Sequence, residues 1–189
     1  MKRTCAAVAA LLTTLALVGC GKDAQHGAGS GRQQDFSQAD MDFAIAMQGH
    51  HQQAIRMASM VHERSDHPKI EDLAQQITRT QAPEVDLFAR WIRTWAKRGA
   101  TMPAHTHESV DHGPGTMSDA AMMRLDRSSG VRFDRMFLKM MIRHHAGAVE
   151  MAGTEIAKGE SRGARTLAKE IKRSQADEIE TMRRLLARL

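Results

Sequence analysis

Residues 40–58, DMDFAIAMQGHHQQAIRMA, and residues 134–152, DRMFLKMMIRHHAGAVEMA, are copies of one pattern. At a constant offset of 94 residues, Asp40, Phe43, Met47, His50, His51, Ala54, Met57 and Ala58 recur as Asp134, Phe137, Met141, His144, His145, Ala148, Met151 and Ala152. Downstream, with no gap, Leu73, Ala74, Ile77, Arg79, Gln81, Ala82 and Glu84 recur as Leu167, Ala168, Ile171, Arg173, Gln175, Ala176 and Glu178. Such a match is an internal repeat, and three- and four-residue apolar spacing makes the repeated unit a helical hairpin. One hairpin cannot bury its own apolar stripe. Two packed together predict an all-α chain folded as a four-helix bundle.

Punctuation outside the repeat sets the expected boundaries. The first helix spans Asp40 to Val61, and Ser65-Asp66-His67-Pro68 ends it, with Pro68 suited to the first turn of the next. The second helix reaches Gly99 and carries Pro83, where a kink or local break is expected. Residues 99–117 read as a loop, Ser118 to Ser128 as a short helix, and Phe133 to Lys158 as the third long helix. After a turn from Gly159 to Gly163, a last helix runs to Leu189. The bundle domain is thus 37–189, made of hairpins 37–98 and 131–189 around a 99–130 connection.

At the other end, Lys2 and Arg3 precede an apolar run closing in Leu17-Val18-Gly19-Cys20. This reads as an export signal over 1–19 whose end resembles a lipobox, with Cys20 the residue to be acylated. The run is too short for a membrane span, so lipid on Cys20 would be the anchor and 20–36, rich in Gly, Gln and Ser, a flexible tether. Cys5 leaves with the signal and Cys20 is blocked, which removes disulfide, thiol and Cys-ligated zinc chemistry from the domain.

The formal charge of +5 includes Lys2 and Arg3. The remaining charges are interspersed along helices, an arrangement for a solvated surface and not for a nucleic-acid groove. Methionine is the anomaly, with 14 Met against 5 Phe and 2 Trp, beside 10 His. Met alone is ordinary core filler, and a single His on an apolar face is ordinarily a hydrogen-bonded core residue. Position changes that weighting. Met47, His50, His51 and Met57 fall within one stripe about 120° wide on their helix, as do Met141, His144, His145 and Met151. Burying four imidazoles is costly without a purpose, and thioether with imidazole suits copper(I) or silver(I), with copper(II) also accommodated. No Glu-x-x-His of the di-iron bundles occurs, so copper is preferred to iron. Asp40 and Asp134 stand too far up the helix to share an ion with the histidines and are expected to cap. Met102, His105, His107, His112 and Met117 form a second candidate group, able to capture a soft cation from a flexible loop. His26, His62 and His67 are isolated.

These residues resemble the bacterial family called domain of unknown function 305. The resemblance rests on Phe133-Asp134-x-x-Phe137-Leu138-x-x-Met141-Ile142-x-His144-His145-x-Gly147-Ala148-x-x-Met151-Ala152, preceded by Gly115-Thr116-Met117-Ser118, and on the copy at 40–58. It implies a ferritin-like four-helix fold, export to the periplasm or cell surface and, for some members, copper binding linked to metal resistance. Gln48-Gly49 and Gln52-Gln53 make the first copy more polar, so a weaker site is expected there.

The function expected is an exported copper-binding protein that sequesters the ion or hands it to a copper-handling partner, and not an enzyme. No nucleophile stands with a base, and no acidic pair lies on the histidine stripe. The alternative is a structural or partner-binding helical module without metal, its histidines sensing pH. The repeat also allows hairpins exchanged within a homo-oligomer.

Overall fold

The computed structural model describes residues 35–102 and 113–189, whose regular secondary structure is all helical, with no strand among them. The helices are α1 (Gln38–Ser59), α2 (Val61–Arg64), α3 (Pro68–Lys97), α4 (Asp119–Asp126), α5 (Gly130–Lys158) and α6 (Arg162–Leu186). The export signal, Cys20, His26, most of the tether, and His105, His107 and His112 lie outside the described residues.

Local chemistry accounts for the boundaries. Ser37 and Asp40 close a reciprocal capping box at the start of α1, with Ser37 N–H donating to the Asp40 carboxylate at 2.6 Å. Pro68 occupies the first turn of α3, where its missing N–H costs nothing, and Gly99 ends the run at φ +99°. Ser118 and Ser161 cap α4 and α6 through their side chains. Three expectations shift. Pro83 does not break α3, because its ring is on the exposed side while Gln81 and Phe88 on either side are buried. Asp134 caps nothing, since α5 already starts at Gly130; the carboxyl is buried one turn inside with Oδ1 unpartnered among the described residues. Phe36, read as tether, is buried and stacks on Trp95 at 5.4 Å between ring centroids.

α1 packs on α3 and α5 on α6, the hairpins expected from the repeat, and α1 lies against α5. The apolar core forms two clusters. One holds Phe43, Met47, Phe88, Ala148, Ala152 and Ile171; the other holds Ala54, Met57, Ile77, Phe133, Phe137 and Met141. The first takes the early part of α1 and the late part of α5, the second the reverse, so the two helices run antiparallel. Between the clusters on each helix stand the histidines.

Candidate metal centre

His50, His51, His144 and His145 are all fully buried, at 0% exposure. The repeat brings them together because α1 and α5 cross at equivalent positions. The rings of His50 and His144 lie against each other, with centroids 3.6 Å apart and planes tilted by 33°. His51 and His145 lie further out, 6.5 Å from His50 and 6.3 Å from His144 respectively.

Each outer histidine meets a carboxylate from the neighbouring helix of its own hairpin. His51 Nε2 is 2.7 Å from Glu84 Oε2 on α3, and His145 Nε2 is 2.7 Å from Glu178 Oε2 on α6. Sequence reasoning missed both glutamates as site residues. It sought an acid on the histidine helix, whereas both pairs reach across the hairpin over the same separation of 33 residues. The signal was present, as Glu84 and Glu178 are themselves a repeated pair. Phe88 and the His51 ring make a T-shaped contact with centroids 5.8 Å apart.

The inner pair is held differently. His50 Nε2 lies 3.2 Å from the Pro114 carbonyl, which can only accept, so the nitrogen donates. His144 has neither ring nitrogen in a hydrogen bond of ordinary geometry among the described residues. Burial above all, and then the imidazoles of His50, His145 and His51, drive its pKa well below 6.5, against a smaller backbone interaction with His50. The Nδ1 atoms of His51 and His145 are also buried without a partner among these residues. Unpartnered polar atoms buried in such number call for an explanation.

The methionines flank the quartet. Met47, Met57 and Met141 are fully buried, while Met151 is half-buried. Met47 belongs with Met151 to one apolar cluster and Met57 with Met141 to the other, so each side of the histidines has a thioether from either helix. Met151 also lines a groove of about 480 Å³ between α1 and α5, with Phe43, Ala46, Pro114 and Glu155. Among the described residues no three His, Cys, Asp or Glu side chains are placed to hold one ion. A ligand set here would therefore draw on the thioethers, a donor set that fits a soft cation.

The second candidate group is not gathered in the described part. Met102 is exposed at 42%, whereas Met117 is a core residue at 6%. Met117 is fixed by Gln53, whose Oε1 accepts from its N–H at 2.6 Å and whose Nε2 donates to its carbonyl at 2.9 Å. Residues 113–117 thus form a strap over the histidines. Arg143 donates to the Thr116 carbonyl, and Gly147 admits the strap because a Cβ there would stand 1.7 Å from the Pro114 oxygen. Gln53, read as polar dilution of the first copy, is the buried clamp of this strap, and both copies carry the same histidine–glutamate pair.

A second buried acid pair sits at the start of α1. The Asp40 carboxylate accepts from the N–H groups of Glu160 and Ser161, at 3.0 and 2.9 Å, and so ties α1 to the α5–α6 turn. Burial works to raise its pKa, but hydrogen bonds from Ser37 and Glu160 outweigh this and hold it below 3.8. Glu155 beside it is pushed up to about 8, by burial first and then by Asp40, with Arg165 opposing. Two carboxyl groups buried near one another favour one of them keeping its proton.

The family described as Domain of unknown function (DUF305) matches residues 40–186. A solved DUF305 protein from Streptomyces coelicolor, provisionally described as secreted, is 32% identical, covers 79% of this chain and 91% of its own, and superposes with a TM-score of 0.71. A DUF305 fragment from Deinococcus radiodurans is 28% identical over 81% of this chain and 98% of its own, at a TM-score of 0.68. CopM in its Cu(II)-bound form is 32% identical over 79% of this chain and 96% of its own, at 0.66. CopM has also been solved in Cu(I)-bound, silver-bound and apo forms. No curated protein matches the chain. No helix among the described residues is long and apolar enough to cross a membrane.

Proposed function

The chain belongs to the DUF305 family, and from that premise we propose that it is an exported copper- or silver-binding protein that sequesters the ion or passes it on, and not an enzyme. The observation that carries the reading is the buried quartet of imidazoles between two methionine-bearing clusters, with neither nitrogen of His144 in a hydrogen bond of ordinary geometry among the described residues. Burying four imidazoles costs stability, and a soft cation would use the lone pairs at Nδ1 of His51 and His145 that the fold leaves idle. The candidate donors are the imidazoles of His50, His51, His144 and His145 and the thioethers of Met47, Met57, Met141 and Met151. A bound ion would supply only the charge to be carried. The likeness to CopM, solved with copper and with silver, supports the same cargo. Lipid on Cys20 would hold the protein at the envelope, where it could meet a copper-handling partner.

The test is anaerobic copper(I) titration of the purified protein against a competing chelator, beside a variant with Met47, Met57, Met141 and Met151 all changed to leucine. These swaps nearly conserve volume, at up to about 1.5 kcal/mol each, so a thermal melt verifies that the variant folds. Retention by the wild type, weakened at least about tenfold in the folded variant, is expected from thioether ligation. Failure of the wild type to retain copper or silver refutes the proposal.

A further inference from the structure

Glu84 and Glu178 grip the same ring nitrogen, at the same distance of 2.7 Å, in the two halves of the molecule. A carboxylate only accepts, so each Nε2 carries the hydrogen, and a neutral ring protonated at Nε2 presents a lone pair at Nδ1. Those Nδ1 atoms are buried and have no hydrogen-bond partner among the described residues. Packing does not account for this arrangement, because an apolar side chain of similar shape would avoid burying an unused acceptor. The grip is itself supported. Gln76 on α3 donates to the second oxygen of Glu178 at 3.1 Å, and Phe88, one turn after Glu84, braces the His51 ring.

We infer that Glu84 and Glu178 are positioning residues for the metal cluster, each fixing the tautomer and orientation of one histidine so that Nδ1 is the donor offered to a soft or borderline cation. The inference rests on the copper reading above. Neither carboxylate touches the ion. Each acts through its imidazole by choosing the nitrogen and enriching it in electron density, as carboxylate partners of ligating histidines do elsewhere. Because the device is present in both copies, it assigns equal standing to His51 and His145.

The first measurement needs neither variant nor metal. Long-range proton–nitrogen NMR of the histidine-labelled protein should show both rings protonated at Nε2. Hydrogen on Nδ1 of both rings would overturn the inference. The second compares copper(I) and silver(I) affinities of E84Q and E178Q with the wild type. Glutamine keeps the size of the side chain but can accept through oxygen or donate through nitrogen, so it no longer imposes a tautomer. Each variant should lose the uniform Nε2–H signature at its own histidine and bind the metals about 10–100-fold more weakly. Unchanged tautomers and affinities in folded variants would overturn the positioning role while leaving the copper reading intact. A wild type that binds neither metal would instead overturn the copper reading, and this role with it.

Discussion

Replacing Glu155 by glutamine should remove a pH dependence of stability that the fold builds around one buried proton. Glu155 is 1% exposed, its carboxyl packs where a side chain on Gly159 would stand, and its pKa is raised from 4.5 to about 8 by burial and by Asp40. A raised folded value means that the folded state holds a proton which the unfolded state has released. The contribution is complete below pH 4.5 and is lost as pH rises through about 8. Within that window the full slope is about 1.4 kcal/mol per pH unit, so pH 5.5 to 7.5 could cost about 3 kcal/mol. Glu155 also lines the groove between α1 and α5, and solvent screening from that side brings the expected loss to about 1–2 kcal/mol. Asp40 across the pair, Arg165 on α6, and Asp42, Glu150 and Lys158 along the groove are charged groups around it. In E155Q the amide keeps the size of the side chain but does not titrate. Urea unfolding of both proteins from pH 5 to 8.5 is the assay. The wild type should fall relative to E155Q as pH rises, and the difference cancels other groups such as His144, whose lowered pKa weakens the fold as pH falls below 6.5. Asp40 acts in a separate window below 3.8. Parallel stability curves for the two proteins would refute the reasoning.

Two further perturbations address the strap. Gly147→Ala places a Cβ against the Pro114 carbonyl, and the strap must move, at about 1–3 kcal/mol by urea unfolding, with faster amide exchange at Gly115 and Met117. A fully stable variant with unchanged exchange would show that the strap is not seated on Gly147. Gln53→Leu leaves the Met117 N–H and carbonyl without their partners and should cost about 2–4 kcal/mol, whereas the equivalent change at exposed Gln52 should stay within about 0.5 kcal/mol. Equal effects at the two positions would remove Gln53 from the clamp.

Much of this architecture was legible in the chain. The 94-residue offset and the three-and-four apolar spacing led to two like hairpins, and Ser37, Pro68, Gly99 and Ser118 mark helix ends because capping and φ preferences are local. Local rules were also where it misled. Of the kink or break expected at Pro83 the break does not occur, because one lost hydrogen bond on an exposed face does not outweigh a helix packed along its other side. Asp134 looked like a cap by analogy with Asp40, yet α5 begins a turn earlier.

The sequence by itself determined that four histidines and four methionines share buried helical faces, because periodicity converts spacing into a face. Only the tertiary structure decided what those faces meet. That His50 lies against His144, that each thioether pair is drawn from both helices, that Glu84 and Glu178 reach across their hairpins, and that Gln53 clamps Met117 all depend on contacts between residues 33 or more positions apart. No local propensity encodes such contacts. They follow from how two apolar stripes settle against each other, which is a property of the packed pair and of neither helix alone.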